Sequence, residues 1–148
     1  MKVKMFCELF FSVMFFLSCQ SSENPVPQFA VDFCIPLNNA QYSALQNAGG
    51  YAYVTGGVRG IFVYCLSPGE YYAYDRCCTF NITDSALVYD TKKHCLMHRD
   101  TTTNCMSQFS PLLQGAVAQG PAQYPLKKYQ TELTSNGQLR IYNDIYAK

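Results

Sequence analysis

Tryptophan is absent from the 148 residues, so any aromatic core must be built from the 12 tyrosines and 10 phenylalanines. Charge is scarce: 14% of residues are charged, the formal net charge is +1, and no basic run occurs. That leaves no electrostatic footprint for a nucleic acid. Histidine occurs only at His94 and His98, in one short segment, and no Gly-x-Ser-x-Gly is present, so a hydrolase is not supported. The lack of a Cys-x-x-Cys motif counts against a disulfide oxidoreductase. There is no long helical period, internal repeat or low-complexity tract. No catalytic residue is assigned.

Cysteine is plentiful, with eight in the chain. Cys7 falls in an N-terminal stretch where Lys2 and Lys4 precede a run, Met5 to Leu17, that is apolar except for Glu8 and Ser12. The run is short for a membrane span and reads as a signal-peptide core over residues 1–18. Ser18-Cys19, with Phe16 and Leu17 before it, resembles the end of a bacterial lipobox, in which the cysteine is lipidated and becomes the new N-terminus. Gln20 to Pro27 is polar, so residues 19–28 are expected to be a lipidated tether and 29–148 one domain. Losing residues 1–18 removes two lysines and one glutamate, leaving a neutral chain. Six cysteines remain: Cys34, Cys65, Cys77, Cys78, Cys95 and Cys105. An even number in an exported chain reads as disulfides, with 15 possible connectivities.

The body of the chain reads as short strands separated by turns. Val31, Phe33, Ile35 and Leu37 alternate onto one face, and Pro36 places that strand at an edge or end. Residues 41–50 are a polar connection with room for a short helical turn. Tyr51–Thr55, Gly60–Leu66 and Tyr71–Asp75 follow as strands, joined by Gly56-Gly57 and by Ser67-Pro-Gly-Glu70. Ala86–Asp90 and His94–Met97 are two short strands, and Tyr129–Leu133 and Gln138–Tyr142 form a hairpin around Asn136-Gly137. The expected class is all-β.

Ser107-Gln-Phe109, Gly115, Gly120-Pro-Ala122, Pro125-Leu126 and Tyr129 follow one another in a spacing that resembles the second half of a Rieske iron–sulfur domain. Upstream, Gly56-Gly57, Gly60-Ile-Phe-Val-Tyr64 and Ala73-Tyr-Asp-Arg76 resemble its approach to the first ligand loop. The resemblance runs from about Val31 to Tyr142. It implies an antiparallel β-sandwich with two ligand-type loops at one tip. A Rieske centre holds one iron by two thiolates and the other by two imidazoles. On this pattern Cys78 and Cys105 stand at ligand positions, Cys105 where an imidazole belongs, while Phe80 and Thr102 occupy the other two. The resemblance therefore implies vestigial positions at Cys78 and Cys105, no resident cofactor, and a Phe80 packed into the emptied space. It also implies that Cys78 and Cys105 are neighbours and form a disulfide. Cys77 with Cys95, and Cys34 with Cys65, are further pairings left open.

Cys95-Leu-Met-His98 also spells Cys-x-x-His, but Arg99-Asp100 follows where Gly-Ser belongs, so it reads as a chance match. His94, Cys95 and His98 put three candidate zinc ligands into five residues without a clear fourth, and the histidines are read instead as a surface pair on two strands. No metal is expected. The functional expectation is a membrane-anchored, cluster-less Rieske-like module that binds or organises rather than catalyses. The alternatives are an electron carrier holding a [2Fe-2S] cluster through Cys77, Cys78, Cys95 and Cys105, and a thiol–disulfide protein using Cys78 and Cys105. The expected location is a bacterial cell envelope, on the periplasmic or surface side. The lipid anchor makes the membrane a partner, with a protein partner unidentified and nucleic acid excluded.

The lipobox reading predicts that Cys19→Ser releases the domain from membranes or leaves the precursor uncleaved. Fractionation and N-terminal mass spectrometry check this. A wild-type chain that is soluble, with its N-terminus anywhere but Cys19, would contradict it.

Overall fold

The structure, a computed structural model, describes residues 23–99 and 105–145. The signal segment, Cys19 and Thr102 lie outside the described residues. Ten strands form two antiparallel sheets. They are β1 (Asp32–Pro36), β2 (Tyr51–Val54), β3 (Ile61–Ser67), β4 (Glu70–Asp75), β5 (Val88–Asp90), β6 (Cys95–Met97), β7 (Gln108–Ser110), β8 (Ala116–Gln119), β9 (Lys128–Leu133) and β10 (Gln138–Tyr142). The larger sheet runs β1-β10-β9-β4-β3-β2 and the smaller β5-β6-β7-β8. Because β4 pairs with β9, through Ala73–Tyr129 and Tyr74–Lys128, the smaller sheet is an excursion between two neighbouring strands of the larger one. The chain is all-β.

The continuous apolar run of β3 has a structural cause. Side chains alternate across a strand, and here both faces are covered. Ile61, Val63 and Cys65 enter one core with Val31, Ile35, Leu45, Tyr71, Ala73, Leu139 and Ile141. Phe62 and Tyr64 enter a second core with Tyr74, Leu87, Leu96, Phe109 and Leu126. β4 divides likewise: Tyr71 and Ala73 face the first core, and Tyr72 and Tyr74 the second. The tyrosines do the work that tryptophan would otherwise do. Phe62 and Tyr89 have ring centroids 5.1 Å apart, and Tyr51 and Tyr89 5.0 Å.

β1 is an edge strand and Pro36 is its last residue. The 41–50 connection holds a 3-10 turn, Ala40–Gln46, started by Asn39, whose side chain accepts from the Gln41 amide at 2.9 Å. β7 and β8 were not legible as strands, since their three and four residues carry too little alternation to stand out. Residues 24–27, expected within the polar tether, lie against the domain. Val26 is buried, Asn24 Nδ2 donates to the Pro125 carbonyl at 2.8 Å, and Lys127 Nζ donates to the Pro27 carbonyl at 2.6 Å.

Asp75, at the end of β4, is fully buried and accepts four hydrogen bonds. Its Oδ2 accepts from the Val58 amide (2.7 Å) and the Tyr129 hydroxyl (2.8 Å). Its Oδ1 accepts from the Arg59 amide (3.2 Å) and the Cys77 amide (2.9 Å). Gly57, at φ +62°, makes room for this carboxylate; a Cβ there would collide with Asp75 and the Tyr129 hydroxyl. Asp75→Ala is expected to destabilise the domain by about 3–5 kcal/mol, since three amides and a phenol lose a buried charged acceptor. Tyr129→Phe, which removes one of the four bonds, is expected to cost about 1.5–3 kcal/mol. Urea unfolding measures both, and an Asp75→Ala loss no larger than that of Tyr129→Phe would contradict the arrangement.

Candidate functional site

Two parts of the smaller sheet's excursion meet over the second core: the loop 76–87, between β4 and β5, and, of the connection between β6 and β7, the described residues 98–99 and 105–107. The first is held by backbone hooks. Cys77 is fixed through its amide by Asp75, and the Arg76 amide donates to the Gly60 carbonyl at 2.9 Å. Arg76 Nε donates to the Leu87 carbonyl at 2.7 Å, and the guanidinium stacks 4.1 Å from the Tyr53 ring centroid. Arg59 donates to the carbonyls of Ile82 and Thr83, and Thr79 Oγ1 donates to the Tyr124 carbonyl at 2.6 Å. The end of the second loop is fixed by its contact with residues 120–122. Ser107 Oγ accepts from the Ala122 amide at 3.0 Å. Gly120, at φ +104°, lets Met106 and Ser107 pass where a Cβ would strike their backbone.

Where the loops meet, Cys78 and Cys105 are joined by a disulfide, and both residues are buried. His98 lies against it. One ring nitrogen of His98 and the two sulfur atoms all fall within 4.8 Å of one another. The imidazole is 5% exposed. Its Nδ1 is 3.4 Å from Ser85 Oγ, and its Nε2 is 3.8 Å from Asp84 Oδ2, too far for a hydrogen bond. Both Nε2 and Asp84 Oδ2 are buried, and neither has a hydrogen-bond partner among the described residues. Burial lowers the His98 pKa from its usual value, with Asp84 pulling the other way, so the ring is held neutral.

No known family model matches the chain, and no curated protein does either. The site therefore rests on its own geometry, which corrects several expectations. Phe80 is 50% exposed and fills no space beside the disulfide. The backbone turns Cys78 and Thr79 inward and leaves Phe80 on the surface. Cys34 and Cys65 are free thiols. They cannot meet, because Cys34 alternates with the core residues Phe33 and Ile35 and faces solvent, whereas Cys65 is buried in the core. Cys77 and Cys95 are also free. Cys77 Sγ points to the Ile82 carbonyl at 3.7 Å and Cys95 Sγ to Gln108 Oε1 at 3.6 Å. Burial pushes the Cys77 thiol up to about 11 and raises Cys65 and Cys95 as well, so these are inert, protonated core thiols.

The pair of surface histidines is half right. His94 is exposed, with Nδ1 3.3 Å from the Tyr89 hydroxyl. His98, weighed as a zinc ligand from the sequence and set aside as a surface residue, is instead buried beside the disulfide. The signal was present: His98 is two residues from Leu96, and a period of two puts both side chains on one face. Leu96 is fully buried opposite Phe109 in the second core, so that face is the inner one.

Removing the disulfide as Cys78→Ser/Cys105→Ser is expected to cost about 2–4 kcal/mol, in line with a cross-link spanning 27 positions. Phe80→Ala is expected to cost about 1 kcal/mol at most, as for a surface truncation. Thermal and urea unfolding compare the two, and equal losses would contradict the assignment of the inner and outer residues of this loop.

Proposed function

We propose that the chain is a Rieske-like domain of a bacterial cell envelope, anchored through a lipid on Cys19. In it the Cys78–Cys105 disulfide stands where the family holds its [2Fe-2S] cluster, and the domain acts as a non-catalytic binding or structural module. The observation that carries this reading is the disulfide itself, because it joins the two loops in which the Rieske resemblance puts the cluster ligands. The small sheet inserted between β4 and β9, with both loops on it, supports the same reading. So does the contact of Ser107 with Gly120 and Ala122, three residues of the motif run.

The side chains present do not fit a Rieske cluster. Such a cluster takes two thiolates on one iron and two imidazoles on the other. Here the two sulfurs are bonded to each other, a single imidazole is at hand, and Phe80 stands outward at the place of another. The four-thiol set of the electron-carrier alternative is not assembled, because Cys77 and Cys95 point to other partners. Without a cluster, the fixed surface around the loops is what remains to function.

Purification without oxygen tests the proposal. The expected protein is colourless above the aromatic absorption band and contains neither iron nor acid-labile sulfide. A brown protein with two irons and two sulfides per chain would restore the electron-carrier reading.

A further inference from the structure

We propose that, once the Cys78–Cys105 bond is reduced, the two thiolates and His98 form a binding site for a single zinc-class divalent cation. The site needs only these three side chains in these positions, so it stands whether or not the chain is Rieske-like. The three donor atoms lie within 4.8 Å of one another and all three residues are buried. Around one tetrahedral zinc ion, with bonds of about 2.3 Å to sulfur and about 2.0 Å to nitrogen, donor atoms stand roughly 3.4–3.8 Å apart. Once the bond is broken, side-chain rotation that separates the two sulfurs to this spacing completes the site, with the neighbouring strands β4, β6 and β7 unmoved.

The unpartnered atoms point to a ligand. Buried polar atoms without partners are rare enough that each calls for a cause. Here two of them, His98 Nε2 and Asp84 Oδ2, lie 3.8 Å apart, and the same histidine has a ring nitrogen within 4.8 Å of both sulfurs. The neutral imidazole has a lone pair to give. Asp84 is itself steadied by Asn81, whose Nδ2 donates to its Oδ1 at 2.7 Å. The Asp84 carboxylate, 3.8 Å from the same imidazole, adds negative charge near a bound dication. Two thiolates and an imidazole select zinc and similar soft or borderline ions over magnesium or calcium. Three protein donors leave the fourth tetrahedral position for water.

The chemistry balances. A dithiol reductant supplies two electrons and two protons; the Cys78–Cys105 bond breaks to two thiols, and the reductant leaves as its own disulfide. The cation then displaces the two thiol protons, which go to solvent. The oxidised and metal-bound forms are mutually exclusive, so the same two sulfurs either cross-link the loops or bind the ion.

Anaerobic titration with Co²⁺ alone tests the site. The full chain is reduced with a phosphine, which takes up the oxygen of one water as the disulfide gains two protons, and is compared with oxidised protein. Reduced protein is expected to bind one Co²⁺ per chain with thiolate-to-metal charge-transfer absorption, and oxidised protein none. His98→Ala is expected to weaken binding at least about tenfold, as expected for a ligand when supporting residues alone are worth about 10–100-fold. Cys78→Ser is expected to abolish the charge-transfer band. Circular dichroism checks that each variant folds. Should a variant not fold, alkylation mapping of reduced wild-type protein decides: Zn²⁺ should protect Cys78 and Cys105 and leave Cys34 reactive. A folded, reduced chain that binds no Co²⁺, equal binding by oxidised protein, or Zn²⁺ without protection of Cys78 and Cys105 would each overturn the proposal. None of these readouts depends on iron or acid-labile sulfide, so this site can fail while the cluster-less reading holds, and the reverse.

Discussion

The Asp75 carboxylate is the point from which the geometry of the site is set. It ends β4 in the middle of the larger sheet, binds the turn at Val58 and Arg59, receives the Tyr129 hydroxyl from β9, and holds the amide of Cys77. A buried charge persists only where its hydrogen bonds are met. Here they are met by three separate segments. Each segment is thus held in place relative to the other two, and Cys78 leaves this junction in a fixed direction. Burial beside the carboxylate raises the Tyr129 pKa, keeping its hydroxyl a donor. Glycine at 57 follows from the same constraint.

A second constraint is the double burial of β3 and β4. One face of this strand pair is covered by the larger sheet's own core and the other by the smaller sheet. The excursion from β4 to β9 is therefore a layer packed on the larger sheet, with its inner face built from Leu87, Leu96, Phe109 and Leu126. That inner face carries Cys78, His98 and Cys105 to one place. The disulfide lies at the edge of a packed core, where its sulfurs are shielded from water.

What the sequence made legible follows from how each signal arises. The strand runs of the larger sheet were readable because alternation and glycine-rich turns are local properties. The pairing of Cys78 with Cys105 came from the motif pattern, since no local property of either cysteine points to the other. Cys34 could have been separated from Cys65 by its alternation with Ile35. Phe80 was misplaced because a loop has no period to say which side chain turns inward. His98 was read as a surface residue although its spacing from Leu96 put it on the inner face. The Asp75 junction was invisible: nothing in Tyr-Asp-Arg-Cys announces a buried acid that draws donors from positions 58, 59 and 129.

The cross-linked loops, the outward Phe80 and the buried imidazole together describe a site whose two sulfurs are bonded to each other. The central claim is the bond between Cys78 and Cys105. Peptide mapping of unreduced protein, alkylated before digestion, tests it most directly. A cross-linked Cys78–Cys105 peptide, with Cys34, Cys65, Cys77 and Cys95 recovered as alkylated thiols after denaturation, is the predicted result. Free thiols at both Cys78 and Cys105, or either of them joined to another cysteine, would contradict it.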